Sequence, residues 1–310
     1  MQSTRQAVFM LPPNVHLLDI TGPAHIFYEA ACYGASVKLL FSSIFTGESE
    51  GISNAMLSFS HLLPFDQLNL NKGDIVFVPG LDAALLLNDD FLIASRAFQQ
   101  WLVMQYGNGV IVSAVCTGAF LLAEAGLLDG RACTTHWKYM ERFRQRYPKV
   151  HLQVNRLFVQ EDHLYTSAGV SAGIDLALHI IEQLWGAHLA AQVAQEVVIY
   201  FRRTPDDPQL SVFTQYRNHL DHRIHSVQDR LMRSLQEKLS IELLANEVNM
   251  SPRNLTRLFK KATNLTIGAY LDKLRAARAA QLVKEGQTLQ AAASQCGLRS
   301  TNQLRRLMKK

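Results

Sequence analysis

Over the first two hundred residues, short apolar runs alternate with longer stretches whose apolar positions recur every three or four residues. The runs at 7–11, 37–43, 74–79, 109–114 and 164–167 are rich in β-branched or aromatic residues, which predicts strands. Helical periodicity falls at 22–31, 90–106, 119–125, 136–146 and 173–184. This alternation predicts an α/β sandwich around a largely parallel sheet. DIVFVP at 74–79 and GVIVSAV at 109–115 are apolar at consecutive positions, as expected of strands covered by helices on both faces. Ligands of open sheets bind beyond the carboxyl ends of the strands, where Pro79-Gly80 and Cys116 fall.

Beyond residue 203 the texture changes. RRTPDDP at 202–208 breaks any helix and predicts a linker over 205–224, after a first domain over 1–204. Helical patterns at 228–237, 241–248, 252–263, 267–284, 289–295 and 302–308 then predict an all-α domain over 225–310. Two of its segments repeat one design, a short apolar helix, a turn and a cationic helix. In the first, Ser251 is an N-cap and Pro252 an N1 residue, whose missing N–H the first turn could not pair anyway. Leu255, Leu258 and Phe259 form the apolar stripe, leaving Arg253, Thr256, Arg257 and Lys260 to face outwards. In the second, Gly297 fits the turn and Asn302, Arg305 and Arg306 take the outward places. Between them YLDKLRAARAAQLV at 270–283 is a good helix former that can hold the two at a fixed separation. Two helix-turn-helix patterns in tandem imply double-stranded DNA as a partner, with outward side chains on base edges and phosphates.

Charge sharpens this division. The formal net charge is +5, yet residues 1–210 hold 13 Lys and Arg against 19 Asp and Glu, and residues 211–310 hold 18 against 7. A basic second part beside an acidic first part predicts that only the second meets a polyanion.

The candidate chemistry of the first part centres on Cys116, where an apolar strand turns sharply into a helix. A helix N-terminus biases a thiol towards thiolate, and Asp19, after the first strand, and His136, in TTHW, are candidate partners. Taken alone, Cys116 reads either as a nucleophile or as a buried pocket residue. Cys32 and Cys133 read as core residues, and Cys296 as packing at a helix-turn-helix turn. The four cysteines have neither metal-ligand spacing nor the density of a disulfide scaffold, which points to a reducing compartment. His219, His222 and His225 recur every three residues, so two of them could share a helix face as metal ligands, but a polar linker helix is the expectation. The early apolar run 7–11 is stopped by Pro12-Pro13, and no run of about 18 apolar residues follows, so a cytoplasmic protein without membrane contact is expected. Neither a metal nor a cofactor is expected.

These motifs carry a resemblance. LLANEVNMSPRNLTRLFKK at 243–261, YLDKLRAARAAQLV and AAASQCGLRS at 291–300 resemble the AraC/XylS family of transcription regulators. LLDITGP at 17–23, DIVFVPG at 74–80, AVCTGAFLLAEAGLLDGR at 114–131, TTHW at 134–137 and TSAGVSAGIDLALHIIEQLWG at 166–186 resemble the PfpI-like branch of the class I glutamine-amidotransferase-like superfamily. In that order they look like GlxA-type regulators, in which a flavodoxin-like α/β domain precedes an AraC-type DNA-binding domain. The resemblance implies a transcription regulator, dimeric through the first domain, that senses a small-molecule effector. Its implied pocket comprises Asp19, Gly80, Leu81, Cys116, Thr117 and His136. Arg253, Thr256, Arg257 and Lys260 would meet one groove segment, and Asn302, Arg305 and Arg306 the next. Isocyanide hydratases of the same superfamily share the cysteine turn, which keeps a second reading open: a hydratase or amidase using Cys116, Asp19 and His136. Leu81 stands where catalytic relatives have a second glycine, and Ile267, Leu298, Leu304 and Met308 depart from the regulator pattern.

Overall fold

The computed structural model describes residues 4–308 apart from 87, 155, 200–202, 206, 208, 210, 211, 238 and 285. The chain divides into two compact units, Met1–Gln209 and Leu210–Lys310.

In the first unit a seven-stranded sheet runs, from one edge to the other, through Phe158–Glu161, Leu164–Ser167, Ile111–Val115, Ile75–Val78, Arg5–Leu11, Val37–Ser43 and Leu63–Pro64. The first two strands pair antiparallel and every other pairing is parallel. Side chains alternate across the sheet with both faces covered, which is why Ile75–Val78 is apolar at every position and Ile111–Val115 at every position but Ser113. Ala7, Phe9, Leu11, Ile75 and Phe77 pack beneath the helices Leu17–Cys32, Ser171–Trp185 and Ala187–Glu196. Val8, Met10, Val76, Val78, Val112 and Ala114 pack on the other face, against Arg96–Gly107 and Gly118–Glu124. Register then decides where the site lies. Phe9 stands opposite Phe77, Val78 opposite Ala114, and Val115 opposite Ser167, so the segments that follow these strands meet on one rim.

Several boundaries differ from the sequence reading. The helix expected at 22–31 begins at Leu17, which places Asp19 in its first turn rather than in a loop. The helix expected at 90–106 is two, Asp89–Ala94 and Arg96–Gly107, separated at Ser95, whose hydroxyl donates to the Leu92 carbonyl (3.1 Å). The helix expected at 136–146 opens with a 3-10 turn at Trp137–Tyr139. The edge strand Phe158–Glu161, the hairpin of Glu50–Ile52 with Ser58–Ser60, and the pair Ala132–Cys133 with His151–Leu152 have too few residues to show a period.

The second unit is helical, with Val212–Gln215, His222–Arg233, Ile241–Glu247, Pro252–Thr263, Ile267–Lys284, Leu289–Gln295 and Thr301–Met308. Tyr270 and Leu274 join Leu244, Leu255 and Phe259 in one core, whereas Ala279 and Leu282 join Ala292, Cys296, Leu298 and Leu304 in another. One 18-residue helix therefore feeds both cores and sets their spacing. Leu298 and Leu304 fill the second core, while Met308 is exposed.

Described residues of the stretch expected as a linker over 205–224 make hydrogen bonds within each unit. Leu157 N–H donates to the Pro205 carbonyl (3.2 Å), and Gln209 Nε2 donates to the Thr135 carbonyl (3.0 Å), which ties this end to the first unit. At the other end the Asp221 carboxylate accepts from Arg223 N–H (3.0 Å) and starts a helix at His222, where the sequence reading began it at 228. His225 faces Arg217 Nε through Nδ1 (3.0 Å) and the His219 carbonyl through Nε2 (2.7 Å), so both of its ring nitrogens are engaged within the protein. Among the described residues no helix is long and apolar enough to cross a membrane.

Candidate ligand site and nucleic-acid surface

Cys116 follows the central strand in a left-handed backbone conformation, with φ of +59°. Such a φ is uncommon for any residue but glycine, and the structure around it over-determines it. Its N–H donates to the Ser167 carbonyl (3.1 Å), and Thr135 Oγ1 donates to its carbonyl (2.9 Å). Two glycines let neighbouring backbone close in. A Cβ on Gly118 would lie 2.1 Å from the Val78 carbonyl oxygen, and one on Gly169, whose φ is +92°, would lie 2.2 Å from Cys116 Cβ.

Asp19 reaches this turn from the first helix. Its Oδ1 accepts from Val170 N–H (2.5 Å), and its Oδ2 lies 3.3 Å from His16 Nδ1. The same Nδ1 is 4.0 Å from Cys116 Sγ, and His16 is held by its own N–H, which donates to the Gly80 carbonyl (2.8 Å). The histidine that joins Cys116 and Asp19 is thus His16, which the sequence reading missed. A signal existed, since a residue three before Asp19 at a helix start lies on the same side of the helix. His136 is half-buried and close enough to feel the charges of Asp19 and His16, but among the described residues no hydrogen bond joins it to Cys116. Burial lowers its pKa, and its Nδ1 is buried without a hydrogen-bond partner.

Leu81 and Thr117 close the floor. Leu81 N–H donates to Thr117 Oγ1 (3.0 Å), and that hydroxyl donates to the Leu81 carbonyl (2.9 Å). Cys116, Asp19, Thr117 and Leu81 are all at most 2% exposed, and His16 and His136 beside them are partly exposed. The thiol pKa is raised well above its ordinary value, by burial first and by the negative charge of Asp19 second. The expected bias towards thiolate is therefore reversed, because desolvation and a carboxylate outweigh the donors at the helix start. His16, Asp19 and Cys116 also form the one group of three His, Cys, Asp or Glu among the described residues whose ligand-capable side-chain atoms lie within 4.8 Å of one another. Of the other cysteines, Cys133 and Cys296 are buried, but Cys32, expected in the core, is exposed at the end of its helix.

In the second unit Ser251 Oγ accepts from Asn254 N–H (3.3 Å), and Pro252 opens a helix closed by Asn264 in the left-handed conformation. Arg253, Arg257, Lys260 and Lys261 are exposed, Thr256 is half-exposed, and Leu255 and Phe259 are buried. Arg257 is steadied by Asn254 Oδ1 (3.0 Å), while the Thr256 hydroxyl donates within its own helix. In the second copy Ser300 Oγ accepts from Gln303 N–H (3.2 Å), and Asn302, Arg305 and Arg306 are exposed around the buried Leu304. Gly297, at φ of +68°, makes the turn where a Cβ would lie 2.5 Å from the Leu235 carbonyl oxygen.

Comparison with known proteins accords with both halves. Residues 5–183 match the DJ-1/PfpI family, and residues 244–310 match a helix-turn-helix domain. The chain is 34% identical over 209 residues to the HTH-type transcriptional regulator GbdR of Pseudomonas aeruginosa, covering 67% of this chain and 56% of the regulator. It is 29% identical over 203 residues to an isonitrile hydratase of Pseudomonas putida, covering 65% of this chain and 81% of that enzyme. A crystal structure of a putative transcriptional regulator from Vibrio parahaemolyticus superimposes with a TM-score of 0.56 at 18% identity, over 63% of this chain and all of that one. The chain thus spans little more than half the length of the regulator. The chain belongs to the DJ-1/PfpI family and carries a helix-turn-helix domain after that fold.

Proposed function

We propose that this protein is a sequence-specific DNA-binding transcription regulator whose first domain senses a small metabolite. The observation that carries the reading is the pair of cationic helices, each N-capped by serine and each seated on its own core, spaced by the helix Ile267–Lys284. Arg253, Thr256, Arg257 and Lys260 serve one major-groove segment, and Asn302, Arg305 and Arg306 the next. The similarity to GbdR supports this use. The domains divide by function at 1–204 and 225–310, and the protein acts in the cytoplasm.

The effector enters past His16 and His136 towards Asp19, Gly80, Leu81, Cys116 and Thr117, and acts by favouring one arrangement of the regulator over another. The active species is a homodimer formed through the first domain. Its support is the outer face of the helix Leu17–Cys32, where Tyr28 is 55% exposed and lines a groove of about 770 Å³. The test is binding of the full chain to duplexes selected from a random pool, measured from 50 to 200 mM salt. Each phosphate neutralised should add about −0.9 to the slope of log K against log salt. Absence of binding at low salt refutes the reading.

Hydratase or amidase chemistry at Cys116 draws on the elbow and on the similarity to the isonitrile hydratase. The geometry favours a receptor over that use. Leu81 N–H, a candidate oxyanion donor, is spent on Thr117, and burial and the neighbouring Asp19 raise the thiol pKa.

A further inference from the structure

We infer that His16, Asp19 and Cys116 form a binding site for a single zinc-class divalent cation. This departs from the expectation that the chain takes no metal. The three candidate ligand atoms, Nδ1, Oδ2 and Sγ, come from two chain segments about a hundred residues apart and lie within 4.8 Å of one another. Tetrahedral zinc with ordinary bond lengths sets nitrogen and oxygen ligands about 3.4 Å apart, and nitrogen and sulfur about 3.6 Å apart. The observed separations are 3.3 Å for His16 Nδ1 to Asp19 Oδ2 and 4.0 Å for His16 Nδ1 to Cys116 Sγ. The third pair, Asp19 Oδ2 and Cys116 Sγ, lies within the same 4.8 Å.

A second observation points to a ligand independently of spacing. Asp19 is 1% exposed, and its Oδ2 makes no hydrogen bond of good geometry although it lies 3.3 Å from the imidazole Nδ1 and within 4.8 Å of the thiol. A buried carboxylate oxygen left unsatisfied is costly, and a shared cation is one way of satisfying it. The other oxygen is already fixed by Val170 N–H, which orients the carboxylate as the outer partners of metal ligands do. A Cβ on Gly80 would fall 2.3 Å from Asp19 Oδ2 and 2.9 Å from Cys116 Cβ, so a glycine there keeps this space clear of a side chain.

The donor set selects the metal. One thiolate, one imidazole and one carboxylate suit zinc and exclude the oxygen-seeking calcium and magnesium ions. Binding releases the Cys116 thiol proton to solvent and leaves a fourth position for water or for a donor atom of a small ligand.

The test uses the full chain, stripped with a chelator and titrated with Zn²⁺ against a chromophoric competitor. A parallel titration uses Co²⁺, read by thiolate-to-cobalt charge-transfer absorption. One ion per chain is expected, with loss of the charge-transfer band in Cys116→Ser and at least tenfold weaker binding in His16→Gln. Bound zinc should also slow alkylation of Cys116 at least tenfold. His16 is half-exposed, so His16→Gln should keep its melting temperature, and the readout does not depend on that of Cys116→Ser. Failure to compete, or binding that persists in both variants, overturns the proposal, and persistence would place the metal elsewhere, for instance at 219–225. DNA binding is measured separately, so a negative result here leaves the regulator reading standing.

Discussion

Leu81 and Thr117, thirty-six residues apart, hold each other through both backbone groups of Leu81: its N–H donates to Thr117 Oγ1 (3.0 Å), and the same hydroxyl donates to its carbonyl (2.9 Å). Both residues are fully buried, so no water can take over either bond. The pair clamps the loop after one strand to the residue beside Cys116.

Thr117→Val keeps the shape and removes the hydroxyl, which leaves a buried N–H and a buried carbonyl unpaired. The expected cost is about 1–3 kcal/mol per stranded group. Urea unfolding should show a lower midpoint with an unchanged slope, and a midpoint equal to the parent's would contradict the clamp.

Gly169→Ala combines two penalties, a left-handed backbone at φ of +92° and a Cβ 2.2 Å from Cys116 Cβ. Gly34→Ala serves as control, because Gly34 has φ of +98° with nothing within 4 Å. The control should cost about 1–2 kcal/mol for the backbone alone. Overpacking should add about 1–3 kcal/mol at Gly169. Equal melting temperatures in the two variants would show that the close approach is not rigid.

Alkaline conditions should destabilise the first unit. Burial pushes the Cys133 thiol up to about 12 and the Cys116 thiol well above its ordinary value, whereas an unfolded thiol ionises near about 8.5. The folded state therefore holds these protons more tightly. Their contribution to stability is complete below the unfolded value and is lost as pH rises from there towards the folded values. The urea midpoint should fall as pH is raised above about 8.5, and Cys133→Ala should flatten that fall. A midpoint that stays level with pH, or an identical slope in the variant, would count against it.

On the DNA side, Arg257→Ala and Arg306→Ala should each weaken specific binding by about 1–3 kcal/mol if they read bases. Lys260→Ala, lost from a phosphate, should instead reduce affinity evenly across sequences and lower the salt slope by about 1. All three side chains are exposed, so circular dichroism and thermal melting should match the parent. An arginine variant with undiminished binding would remove that helix from the interface.

What the sequence determined by itself is what local patterns encode. Apolar positions on both faces at 75–78 and, around Ser113, at 111–115 require strands covered on both faces, and Ser251-Pro252 before a stripe at Leu255 and Phe259 requires a capped helix with its cations outward. The strand ends, and with them the rim that carries Gly80 and Cys116, follow from the same runs. Short edge strands were illegible because three or four residues hold no measurable period, and the helix at His222 because its start rests on one Asp221 cap. The tertiary structure alone decided which histidine meets the cysteine. His136 stands twenty residues from Cys116 in sequence, yet His16, a hundred residues away, is the one at 4.0 Å. That choice depends on strand register, on the left-handed turn at Cys116 and on two glycines that let backbones touch. The upward shift of the thiol pKa was decided in the same way, because burial and the neighbouring Asp19 exist only once the first helix has docked on the sheet.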